Sequence, residues 1–101
     1  MGSLKQAVVA CDEADAFDAL LGKAVFIRTV TYAWTGRLDL MDDKTFVLSS
    51  AAWIADTGRF ADAMSSGVMS EIEPVPGPVY VNRGAVVDVQ PWEHDLPCEQ
   101  K

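Results

Sequence analysis

What this sequence has little of sets the first limits. It has one histidine, His94, and two cysteines, Cys11 and Cys98, far apart and without CxxC spacing. A zinc centre needs several such ligands close together, so no zinc site is expected. Two reduced thiols are the ordinary reading of the cysteines, and a disulfide tying the ends is the alternative. No apolar run reaches the roughly 18 to 20 residues that cross a bilayer. Met1-Gly2-Ser3-Leu4-Lys5-Gln6 carries one lysine and a short apolar patch with acids close behind, which is not a signal-peptide pattern. Neither GxxxxGK[ST] nor GxGxxG occurs, so no phosphate loop is expected. Basic residues are also scarce, 8 Lys and Arg against 15 Asp and Glu, for a net charge of −7. That balance opposes any affinity built on phosphate neutralisation or on an anionic membrane surface. It suits a basic protein partner or a layer of divalent cations.

What is present is half hydrophobic in 101 residues, enough for a single domain (1–101) around one modest core. The spacing predicts a helix over 12–22: Asp12 caps it, acids fill its first turn, Phe17, Leu20, Leu21 and Ala24 form an apolar stripe, and Gly22 stops it. Strands of the first half follow over 24–54. Val25 to Trp34 reads as one long strand, with Phe26, Val30, Tyr32 and Trp34 on one face and Val25, Ile27, Thr29 and Thr31 on the other. Both faces are apolar, as expected when one covers a core and the other meets a helix or a neighbouring subunit. Gly36 marks a bend or bulge. Arg37 to Met41 alternates, Asp42-Asp43-Lys44 makes a turn, and Thr45 pairs back through Ile54.

Residues 55–78 read as an insertion and linker: a break at Asp56-Thr57-Gly58, a short helix from Arg59 to Ser66 ended by Gly67, a strand within Val68 to Glu73, and a stiff Pro74-Val75-Pro76-Gly77-Pro78. Residues 79–90 read as a valine-rich hairpin. Asn82 and Gly84 tolerate positive φ, which puts Arg83 at the tip. In the tail, 91–101, Trp92 and Leu96 can anchor. The order predicts a mainly β domain with an N-terminal helix: a small, strongly bent antiparallel barrel with a helical insertion before the last hairpin.

Two stretches carry a family likeness. Gly36, Leu38 and Asp42, followed by Phe46-Val47-Leu48, and then Val79-Tyr80-Val81-Asn82-Arg83-Gly84-Ala85-Val86-Val87, resemble the two-part signature of Sm-like proteins, the group that includes LSm and Hfq. The resemblance implies an Sm-like (SH3-like) barrel assembled as a homo-oligomeric ring of five to seven subunits. It implies RNA contacts at Asp42, Lys44, Arg83 and Gly84. The loop Asp43-Lys44-Thr45, however, lacks the asparagine with which the family holds bases, and the segment between the motifs is longer than the family's. A looser likeness joins Gly22 to Thr31, Ala55 to Phe60 and Pro91 to Pro97 to small acidic unassigned proteins of tailed phages and prophages.

Catalytic chemistry is thin. His94 sits between Glu93 and Asp95 in an irregular tail, so a surface histidine is expected rather than a general base. Asp42-Asp43 and Asp12, Glu13 and Asp15 lack the ligand spacing of a calcium loop. One Asp-Thr-Gly is a common turn. Trp34, Trp53, Tyr32 and Phe60 could stack bases, but tryptophan in a small domain more often serves a core or an interface. The expectation is a non-enzymatic structural or assembly protein, without cofactor or metal, in a bacterial cytoplasm or a virion. It pairs with itself or with other virion proteins through Val79, Val81, Val87, Val89, Phe26, Tyr32 and Trp34. An RNA-binding ring is the alternative, with nucleic acid disfavoured by charge; no membrane partner is expected.

Overall fold

The computed structural model describes residues 15–101. Met1 to Ala14, with Cys11 and the expected helix start at Asp12, lie outside the described residues. The chain forms an antiparallel sheet of β1 (Ala24–Thr29), β2 (Ala33–Met41), β3 (Thr45–Asp56), β4 (Glu71–Pro74), β5 (Val79–Asn82) and β6 (Val86–Pro91). One α-helix, α1 (Phe60–Ser66), lies between β3 and β4. The strand order is β4-β3-β2-β1-β6, and β5 also pairs with β3. The 12 residues of β3 accommodate two neighbours: β5 runs along Thr45 to Leu48, and β4 along Ala52 to Asp56. No helix among the described residues is long and apolar enough to cross a membrane.

Three expected elements differ. The helix over 12–22 is, among the described residues, a five-residue 3-10 helix, Ala16–Leu20, and the single α-helix is not N-terminal. Asp15 caps it by accepting from the Phe17 N–H at 2.9 Å. A helix this short lacks the length to repay its nucleation. Its neighbour Ala24, expected on the helical stripe, already belongs to β1, while Phe17 and Leu20 do pack on the core.

The long strand Val25 to Trp34 is two strands. The Tyr32 carbonyl accepts from both the N–H and the hydroxyl of Thr29 at 2.7 Å, and the chain doubles back so that Ile27 faces Trp34. This turn is built from threonine and valine, with no glycine, asparagine or proline to announce it.

The stretch 79–90 is not a hairpin. β5 pairs with β3, β6 pairs with β1, and a 3-10 turn, Arg83–Ala85, carries the chain from one to the other. Gly84 is not among the positive-φ glycines. Asn82 caps the turn instead, its side-chain oxygen accepting from the Gly84 N–H at 2.8 Å.

The bend expected at Gly36 is present. Pairing of β2 with β3 shifts register between Thr35 and Arg37, where Ser49 to Ala52 carries an extra residue. A Cβ on Gly36 would lie 3.0 Å from the Leu48 Cβ and 3.2 Å from the Ser49 carbonyl, so a side chain there would have to push the facing strand back by a few tenths of an ångström. On the opposite strand Ser50 takes the left-handed conformation, φ +48°.

Two cores pack against the bent sheet. One core gathers Val25, Ile27, Leu38, Phe46, Leu48, Ala51 and Val81, with Phe17 and Leu20 against it. The other gathers Phe26, Ala33, Ala52, Ile54, Ala63, Met69, Ile72 and Trp92, beneath α1 and the tail. Trp92 anchors the tail as expected: it is buried, stacks on Phe26 at 5.8 Å and donates from Nε1 to the Asp95 carbonyl at 3.2 Å. His94 is not a free surface residue. It is half-buried, with Nε2 2.8 Å from the Met64 carbonyl at the end of α1, and its ring lies so close to Gly67 that a Cβ there would fall 2.6 Å from the His94 Cγ.

Candidate functional site

The two sequence motifs meet at one end of the sheet. Asp42 closes the β2–β3 loop: its Oδ1 accepts from the N–H groups of Lys44 and Thr45, each at 2.8 Å. These two bonds hold the Asp42 carboxyl below the usual aspartate range. Thr45 lies opposite Asn82, and the Arg83 N–H reaches the Lys44 carbonyl at 2.8 Å, so the β5–β6 turn docks onto this loop. Asp42, Lys44, Arg83 and Gly84 are therefore brought together.

Arg83 is engaged within the fold. Its Nη1 donates to Asp15 Oδ2 at 2.8 Å and to the Asp42 carbonyl at 2.6 Å. The guanidinium lies 4.9 Å from the Phe17 ring centre and 4.8 Å from that of Phe46. Its side chain is 18% exposed. Arg83 is the first cause of the lowered Asp15 pKa, followed by the Phe17 N–H. Beside this knot is an open groove of about 460 Å³ lined by Asp43, Lys44, Thr45, Tyr80, Asn82 and Gly84.

The strand residues expected at an interface divide. Phe26 and Val81 are interior, each packed in one of the two cores, because the turn at Val30 and the pairing of β5 with β3 point them inward. Val79, Val89 and Trp34 are half-buried against the second of these cores. Val87 and Tyr32 are exposed. Within β5, the bond from the Arg83 N–H to Lys44 fixes the phase of the ladder. Odd-numbered residues bond to β3, while Tyr80 and Asn82 turn their backbone groups outward. An apolar row, Leu40, Val47 and Tyr80, crosses three strands and ends at that edge, with Leu40 65% and Tyr80 69% exposed.

Sequence reasoning missed the partners. Arg28 and Asp88, opposite each other on β1 and β6, form a two-pronged ion pair, with Nε donating to Oδ1 at 2.9 Å. It lowers the Asp88 pKa, and the guanidinium also sits 5.0 Å from the Phe60 ring centre. A lone charge in each of two otherwise apolar strands was the available signal. Among the described residues no group of three or more His, Cys, Asp or Glu is placed to hold a metal ion. No protein-family model matches the chain, and no curated protein does.

Proposed function

We propose that this protein is a non-enzymatic assembly component, an Sm-like small barrel that joins copies of itself, or a larger phage-type assembly, through the edges of β5 and β6. The observation that carries this reading is the state of those edges: among the described residues β5 has β3 as its only strand neighbour and β6 has only β1. Both edges belong to the second motif, and Tyr80 and Asn82 direct hydrogen-bonding groups outward beside the exposed Leu40–Val47–Tyr80 row. The barrel reading is supported by the three-residue turn, Arg83–Ala85, which spans from the strand on β3 to the strand on β1. A head-to-tail contact of β5 with the β6 of a neighbour closes into a ring if the rotation allows; five to seven subunits follows from the family likeness alone. Pro78 and Pro91, flanking β5 and ending β6, keep such a ladder short. In this reading the protein acts in a bacterial cytoplasm or in a virion.

Light scattering coupled to gel filtration tests it. A mass several times that of the chain, reduced to one copy by Tyr80→Glu and by Val89→Lys, is expected. A single-copy mass across a concentration series rules out self-assembly. The alternative, an RNA-binding ring, draws support from the groove with Lys44, Tyr80 and Asn82. The excess of acids and the engagement of Arg83 within the fold count against it. Labelled U-rich and A-rich strands at physiological salt are expected to show no saturable binding below about the micromolar range, where nonspecific binders begin.

A further inference from the structure

Three aromatic rings stand apart from both cores' interiors. Trp34 and Trp53 face each other directly across β2 and β3. The Tyr32 ring meets both edge-on, its centre 5.9 Å from that of Trp34 and 5.8 Å from that of Trp53. Trp34 lies partly against the core that holds Ile27, whereas Tyr32 and Trp53 belong to neither core cluster. Tyr32 is 43% exposed and Trp53 is half-buried. Aromatic rings are enriched where proteins contact other proteins.

The charge beside them is mainly negative, two glutamates against one lysine. Glu73 is directly opposite Trp53 on β4, so the two side chains share a face. Glu71, Glu73 and Trp53 line one groove of about 260 Å³ together with Ala55 and Lys101. Both glutamates are exposed. The three ion pairs among the described residues use Asp15, Asp62 and Asp88, so neither glutamate is matched in that way. The one cation at the groove is Lys101, whose backbone pairs with Ile72 between the two glutamates, and it makes no ion pair with either.

From this juxtaposition we propose that Tyr32, Trp34 and Trp53 with Glu71 and Glu73 form a docking face for an arginine-bearing segment of a basic partner protein. A guanidinium lies flat against an indole face while its N–H groups reach a carboxylate, so ring and acid side by side recognise arginine in two ways at once. For a phosphate-bearing ligand the two glutamates outweigh the single Lys101. The net charge of −7 draws a basic partner toward the whole surface, and the ring-and-acid groove gives it a place to stop. The face lies along the half of β3 that carries β4, not the half that carries the β5 edge proposed for assembly.

The test uses the full chain and an arginine–glycine repeat peptide, with the same peptide carrying citrulline in place of arginine as the uncharged control. The three tryptophans give three indole N–H resonances, and the buried Trp92 is an internal reference. Expected are saturable shifts of the Trp34 and Trp53 signals with Trp92 unmoved, and no shifts with the citrulline peptide. Glu71→Gln and Glu73→Gln combined are expected to weaken binding about threefold or more, comparable to the loss of an exposed ion pair. Both glutamates are exposed, and an unchanged Trp92 resonance verifies that the variant is folded. The proposal is overturned if no indole moves, if all three move alike, if the citrulline peptide binds as well, or if the glutamine variant binds with unchanged affinity.

Discussion

The Arg83 guanidinium lies 2.8 Å from the Asp15 carboxylate, a contact between residues 68 apart in the chain. It is wedged against Phe17 and Phe46, whose rings meet edge-on at 5.0 Å, and it also holds the Asp42 carbonyl. One side chain thus ties together the first described residues, the β2–β3 loop and the β5–β6 turn. Every tie uses the planar, multiply donating shape of arginine.

Arg83→Ala is expected to destabilise the fold by about 2 kcal/mol, from the loss of a charge-assisted hydrogen bond and two ring contacts. Arg83→Lys keeps the charge and is expected to recover less than half of that. Urea midpoints measure both. A midpoint unchanged in the alanine variant removes Arg83 as a structural hub. Any effect of the same substitution on ligand binding must be judged against this loss.

Stability is expected to fall with acid. The Asp15 carboxyl is held below its ordinary value of 3.8 by the Arg83 hydrogen bond and then the Phe17 N–H, Asp42 by the Lys44 and Thr45 N–H groups, and Asp88 by the Arg28 hydrogen bond. A depressed carboxyl contributes fully above its unfolded value and loses that contribution as pH drops through the folded one. The urea midpoint should therefore be level toward neutral pH and decline progressively below 3.8. Asp15→Asn should make that decline shallower; an equally steep decline in that variant assigns the acid sensitivity elsewhere.

The bulge pairs two unlike residues. Gly36→Ala places a Cβ 3.0 Å from that of Leu48 and should cost about 1 to 3 kcal/mol through overpacking. Ser50→Gly relieves a left-handed serine and should leave stability unchanged or raise it by up to about 1 kcal/mol. Gly84→Ala, without positive φ and with a nearest contact of 3.2 Å to the Asn82 oxygen, should cost less than either a core cavity or the Gly36 change. Thermal midpoints of the three variants give the order, and a more harmful Gly84→Ala contradicts the turn described.

Thr35 is fully buried in β2 with its hydroxyl unpaired among the described residues. Thr35→Val keeps the shape and removes a buried polar group, so a gain of about 1 kcal/mol is expected. A loss in the denaturation midpoint would mean that the hydroxyl has a partner.

Periodicity and turn chemistry made much of the sheet readable. Gly36, the Asp42-Asp43-Lys44 turn, the run from Thr45 to Ile54, the helix ended by Gly67 and the anchor at Trp92 all fall as expected. The failures came where local signals were ambiguous. Val30 and Thr31 favour strand but turn, because the pairing of Ile27 with Trp34 outweighs local preference. Asn82-Arg83-Gly84 matches a hairpin turn in composition, yet each flanking strand finds its partner elsewhere. The second apolar face, expected to meet a helix or a neighbouring subunit, meets α1 and the tail at Phe26 and Ala33, although the helix is not the N-terminal one. The fate of Arg83 was unreadable because its partners, Asp15 and Phe17, are remote in sequence.

Pairing of β1 with β6 also sets a timetable. Arg28 and Asp88 are 60 residues apart, so on the ribosome β1 emerges seconds before its second neighbour exists. During that interval the Val25-Phe26-Ile27 run has an open flank, and only β2 can shield it. A chain interrupted before Val86 never leaves that condition. Such fragments are expected to precipitate, and the intact protein is expected to close slowly, because the first strand of the sheet waits for its last.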